Sequence, residues 1–180
     1  MWLRQRDGVT CGPSVAVMAG TLISADYRRA LQRADAQMWF EAEQGRVHRA
    51  VNTVWPRALG TTPAGMARAL SAHGTRYRWR PARRSLSDVS DAVTAGWPVA
   101  MLIGAAVPRH WVLLTEIDSG TIERGTIERG TIGRGTLRCY EPSSGHLVAI
   151  SFDDIRTGRL NELGFPRAFA FVLPALTRGQ

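Results

Sequence analysis

Apolar residues crowd the first third of the chain at helical spacing and the last half in short bursts, and that contrast predicts the order of elements. Residues 13 to 23, "PSVAVMAGTLI", are almost wholly apolar behind a proline suited to a first helical turn, which predicts a buried helix. The segment "SADYRRALQRADAQMWFEAEQ" places Leu31, Met38 and Trp39 on the apolar face of a second helix of irregular phase. Residues 61 to 74, "TTPAGMARALSAHG", have clear helix grammar: Thr62 as N-cap, Pro63 behind it, Met66, Ala67 and Leu70 facing inward, and Gly74 as terminator. "SLSDVSDAVTAG", residues 85 to 96, repeats it with Ser85 or Ser87 as cap, Leu86, Val89 and Val93 inward, and Gly96 as stop.

Strands follow. "WPVAMLIG" (97 to 104), "HWVLLTEID" (110 to 118), "TLRCYE" (136 to 141), "HLVAIS" (146 to 151) and "RAFAFVLP" (167 to 174) are short apolar runs separated by turn residues, which predicts an antiparallel sheet traced by hairpins. Helices gathered ahead of a sheet define an α+β fold, with N-terminal helices packed on a C-terminal antiparallel β-sheet. The length of 180 residues and 44% hydrophobic composition fit a single domain over 1–180. The tract "GTIERGTIERGTIGRGT" repeats every five residues, which matches neither helix nor strand period. It is read as a loop or hairpin extension at 119–136.

Charge changes the picture little. All 23 basic residues are arginine, against 15 acids, giving a net charge of +8. Absence of lysine reads as coding bias of a GC-rich genome. The densest run, "RYRWRPARR", could present phosphate contacts with stacking aromatics, but its alternation predicts a strand with the arginines in solvent and Tyr77 and Trp79 in the core. Nucleic acid is therefore not the expected partner. No stretch is long and apolar enough to span a bilayer and the N-terminus lacks a signal pattern, so a soluble, cytoplasmic protein is expected. Two cysteines far apart support neither a disulfide scaffold nor a cysteine zinc site.

Candidate chemistry begins at "QRDGVTCGPSV", residues 5 to 15. A cysteine at a helix N-terminus is favoured as thiolate by the unsatisfied amides and the dipole there. Cys11 holds that position, the "DGVT" turn is expected to expose its sulfur, and Gly12 is expected to admit a substrate backbone. Gln5 can return its side-chain amide to join the Cys11 N–H at a developing oxyanion, a donor worth about 3 kcal/mol. Of the four histidines, His110 opens an apolar strand and is placed at a sheet edge facing a cleft. His73 reads as a helix C-terminal cap, and His48 and His146 as solvent-facing. Glu141 ends a strand before Pro142, where its carboxylate can reach His110 and fix the imidazole tautomer. Asp118, along His110's own strand, is roughly 25 Å away. Asp153 and Asp154 read as a helix cap.

These residues resemble the Gln-to-Cys box of papain-like cysteine peptidases, specifically stand-alone relatives of the bacterial bacteriocin-processing (leader) peptidases. The "GTTPAGMARAL" helix, the strand "GWPVAMLIG", the His-Trp-Val of "HWVLLTEID" and the "EPSSG" turn align in order over residues 2 to about 173. The resemblance implies the papain-like α+β fold, with Cys11 as nucleophile, His110 as general base and acid, Glu141 as imidazole orienter and Gln5 as oxyanion donor. It further implies hydrolysis of a peptide or amide bond through a thioester on Cys11, a peptide or protein substrate, and neither metal nor cofactor. The family usually carries Asp or Asn where this chain has Glu141, so the extra methylene must be absorbed by strand spacing or a folded rotamer. The same three groups also serve deamidases and transglutaminase-type acyltransferases, and a catalytically impaired binding module of the same fold is the rival from another class.

Overall fold

The computed structural model describes residues 3–51, 60–118 and 135–175. Among the described residues, α1 (Cys11–Ile23), α2 (Ala25–Leu31), α3 (Ala36–Val51) and α4 (Pro63–Ser71) come first. Then β1 (Tyr77–Pro81) and α5 (Ser87–Thr94) precede the hairpin strands β2 (Val99–Gly104), β3 (Pro108–Asp118), β4 (Thr136–Glu141) and β5 (His146–Ser151). A short α6 (Phe152–Thr157) and a 3-10 turn (Asn161–Leu163) lead into β6 (Arg167–Pro174). The six strands form one antiparallel sheet in the order β1-β6-β2-β3-β4-β5. The expected α+β architecture is observed, with α5 and α6 added on the second face.

Both faces of the sheet are covered, which is why β2 is buried at every position and reads as a continuous apolar run. On one face Val15, Met18, Phe40, Met66 and Leu70 from α1, α3 and α4 meet Trp111, Leu113 and Tyr140. On the other, Val89, Val93, Phe152 and Ile155 from α5 and α6 meet Val112, Leu114 and Phe171. Alternate residues of β3 and β4 thus feed opposite cores, as strand pleating requires.

Local chemistry accounts for most boundaries. The Thr62 side chain accepts from the Gly65 N–H, and the Ser151 hydroxyl and the Asp154 carboxylate form a reciprocal capping box. Asp154 therefore acts at a cap as read, with Ser151 as the N-cap residue itself. Gly74 and Gly96 take φ of 92° and 80°, the left-handed backbone that ends α4 and α5.

Several expectations are corrected. The second helix is two, because Gln32 to Asp35 form a turn in which Arg33 grips Asp35 at 2.7 and 2.8 Å. The break resets the phase: α3 buries Phe40, Gln44, Val47, His48 and Val51 and leaves Met38 69% exposed. His48 is therefore buried, not solvent-facing. His73 is half-buried, its ring edge-on to Tyr27 at 4.6 Å, and burial lowers its pKa. In β1 only Tyr77 reaches the core; Trp79 is 47% exposed, because α4 covers just the first part of that edge strand. Arg80, expected in solvent, lies over Phe171 and pairs with Asp88. Neither Ser85 nor Ser87 caps α5, whose N-cap is Leu86 without a side-chain bond. Of the repeat tract, residues 119–134 lie outside the described residues, and the chain is described again from Gly135 into β4.

Candidate active site

Strand order decides which side chains meet. His110 stands near the start of β3 and Glu141 at the end of β4, and antiparallel pairing puts those two ends together. β3 lies inside the sheet, so the expected sheet-edge position is corrected to the end of a central strand. The His110 Nε2 and the Glu141 Oε1 are 2.8 Å apart, with both side chains about nine-tenths covered. Glu141 folds back over its own turn, accepting from the Ser143 N–H at 2.8 Å and the Ser144 N–H at 2.7 Å. That fold-back absorbs the extra methylene.

Cys11 lies close enough to the ring to bear on its charge. Burial disfavours the His110 imidazolium, but hydrogen bonds and charge from Cys11 and Glu141 outweigh it and raise the pKa to about 9. Burial likewise works against the Glu141 carboxylate, yet the His110 contact and the turn amides hold it well below the usual range. The Phe165 ring lies 5.9 Å from the His110 ring and covers one side.

Cys11 is the first residue of α1, as read. Thr10 precedes it as N-cap but sends its hydroxyl to the Asp7 carbonyl rather than to the first-turn amides. Asp7 in turn accepts from the Val9 N–H and closes the turn. The sulfur is less open than expected, because Cys11 is only 5% exposed. The tight contact at Gly12 is also not with solvent: a Cβ there would sit 2.6 Å from Thr61 and 3.2 Å from Trp111. Trp111 donates from Nε1 to the Thr61 carbonyl at 2.8 Å, so the helix start is drawn down onto β3 beside His110.

Gln5 reaches the same corner. Its N–H donates to the Pro142 carbonyl at 2.8 Å, and the Tyr140 hydroxyl donates to the Leu3 carbonyl, laying the N-terminal segment along the end of β4. Its side-chain Oε1 is buried with no hydrogen-bond partner among the described residues.

Gln44 was missed from sequence. Fully buried on α3, its Oε1 accepts from the Arg6 N–H at 3.0 Å and the Ser14 hydroxyl at 2.8 Å. Those two residues bracket Cys11. The available signal was the stripe 40, 44, 47, 48, 51, in which two polar residues, Gln44 and His48, occupy inward positions. Cys139, the other thiol, is wholly buried, and burial followed by the Glu141 charge pushes its pKa up. Both cysteines are free, and among the described residues no group of three or more His, Cys, Asp or Glu side chains gathers as a metal site would.

The fold is that of papain-like peptidase domains. Two solved structures share it. The peptidase domain of Streptococcus ComA, a bifunctional ABC transporter involved in a quorum-sensing pathway, matches with a TM-score of 0.54 at 16% identity over 98% of each chain. A double-glycine-motif protease from an AMS/PCAT transporter, solved with its leader peptide, matches with a TM-score of 0.52 at 13% identity over 98% of this chain and 91% of that one. No family model and no curated protein matches the sequence. Among the described residues no helix is long and apolar enough to cross a membrane.

Proposed function

We propose that the chain is a cysteine peptidase in which Cys11 attacks a peptide carbonyl. His110 moves the proton, Glu141 orients the ring, and Gln5 with the first-turn amides of α1 receives the oxyanion. The observation that carries the reading is the His110 ring held on the Glu141 carboxylate, with Cys11 at the start of α1 near enough to bear on its charge, on a fold shared with peptidase domains. A His110 pKa of about 9 keeps the imidazolium available at neutral pH, as protonation of a departing amine needs. The thioester then formed on Cys11 is hydrolysed by water that the neutral ring deprotonates.

One observation favours a second reading. The 5% exposure of Cys11 suits a catalytically impaired binding module, because a covered nucleophile meets no carbonyl. Mass spectrometry of peptide mixtures incubated with the wild type and with Cys11→Ala separates the two. New cleavage products with wild type alone support the peptidase. Identical spectra support the binding module, while a gain of about one mass unit without cleavage, or a cross-linked product, points to deamidation or acyl transfer by the same residues.

A further inference from the structure

The arginine-rich run that sequence reading assigned to solvent divides in the fold. Tyr77 and Trp79 belong to the β1 face turned toward α4, whereas Arg83 and Arg84 follow β1 onto the face carrying α5 and α6. There they meet Arg156 near the end of α6 and Arg167 at the start of β6. The four guanidinium-bearing chains line one concavity of about 310 Å³, together with Thr157 and Gly158. Three segments far apart in sequence therefore converge.

Some surface arginines elsewhere find acids, as Arg29 does Asp26, Arg33 Asp35, Arg46 Glu43 and Arg159 Asp153, while exposed Arg4, Arg28, Arg76 and Arg78 have no such partner among the described residues but stand apart from the concavity. In the concavity only Arg83 has such a partner, Asp88 at 3.6 Å, and Asp88 is already gripped by Arg80 at 2.5 Å. Among the described residues, Arg84, Arg156 and Arg167 have no carboxylate partner. Like charges gathered within about a Debye length, roughly 8 Å at physiological salt, repel one another and favour an anion between them. No aromatic lines the concavity, so it offers charge and forked hydrogen bonds without a platform for stacking a base.

Register fixes where it lies. Arg167 pairs with Gly104 of β2, and the adjoining Ile103 pairs with His110 of β3. Two strand spacings, roughly 10 Å, therefore separate the Arg167 and His110 backbones. Phe165, against the His110 ring, is two residues from Arg167. We infer that the concavity is a subsite for acidic side chains of the peptide substrate, a few extended residues from the scissile bond. This assignment rests on the peptidase reading for its place in the reaction, and on the arginine cluster alone for its ligand chemistry. A free oligophosphate would meet the same charges, but the closeness to His110 favours a group carried on the substrate.

Two measurements test it. In the first, synthetic peptide pools carrying Asp or Asn at each position are cleaved by wild type and by Arg156→Gln/Arg167→Gln. Wild type is expected to favour Asp at one or two positions by about tenfold in kcat/KM, through KM, and the double variant to bring that ratio close to one. A wild-type ratio near one, or an equal ratio in the double variant, overturns the subsite. In the second, fluorescein-labelled hexaglutamate and hexaglutamine are titrated against Cys11→Ala with and without the two arginine changes. Tighter binding of hexaglutamate that requires Arg156 and Arg167 supports the subsite even if no peptide is cleaved, an outcome that would sink only the peptidase reading. Hexaglutamate binding that survives both changes, or a concavity that takes inorganic pyrophosphate and ignores hexaglutamate, overturns it.

Discussion

At the scale of single residues, the Glu141 carboxylate carries three contacts, one to the His110 ring and two to its own turn. Glu141→Gln keeps the side-chain length but loses the charge that favours the imidazolium. Turnover is expected to fall on the order of 10²- to 10⁴-fold, with a melting temperature lowered by roughly a few degrees. Steady-state kinetics beside a thermal melt checks this, and unchanged turnover removes Glu141 from the mechanism. The pH dependence has a definite sign. His110 is raised from 6.5 to about 9, so its contribution to stability is complete below 6.5 and is lost as pH rises through about 9. Glu141 is lowered from 4.5, so its contribution is complete above 4.5 and is lost as pH falls through the lowered value. Denaturant unfolding across pH should show the wild type gaining most over Glu141→Gln between about 4.5 and 6.5. Turnover should decline above about 9 as the ring loses its proton. Iodoacetamide is expected to label Cys11 in preference to Cys139, which has no exposed surface and a raised pKa; equal labelling in a peptide-mapping experiment contradicts that.

At the scale of elements, the loop ahead of α1 is held from outside by α3. One Gln44 oxygen serves both Arg6 and Ser14, so it sets how far Gln5 stands from Cys11. Gln44→Met removes the acceptor and leaves a buried N–H and hydroxyl unpaired, at about 1–3 kcal/mol each. A fall in kcat of about tenfold or more is expected, with KM changed less. Gln44→Glu keeps both acceptor bonds and should retain more turnover than Gln44→Met, whereas equal loss in the two variants would mean the residue serves packing alone. Elements were readable in sequence where local chemistry speaks for itself, as in Thr62 with Pro63 and the apolar run of β2. The α2 and α3 boundary was not, because the Arg33 to Asp35 turn lacks glycine and proline and shifts the apolar stripe without notice. The burial of His48 follows from that same shift.

At the scale of the whole molecule, Cys11, His110 and Glu141 were named from short motifs because each abuts a helix start or strand end that its neighbours declare. That His110 would hold Glu141 at 2.8 Å near the start of α1 was not readable, since it depends on the β3 and β4 register and on Trp111 bonding Thr61 against Gly12. The same holds for the arginine concavity, which joins residues 83, 84, 156 and 167 only after the sheet has formed. The sheet itself was expected to grow by hairpins, yet its final strand lies between β1 and β2. Until β6 has emerged from the ribosome, the nascent polypeptide holds two bare edges, on β1 and β2, with nothing to join them. The sheet can therefore close only once β6 has been made, and a chain stalled short of β6 offers both edges to aggregation or to capture by a chaperone.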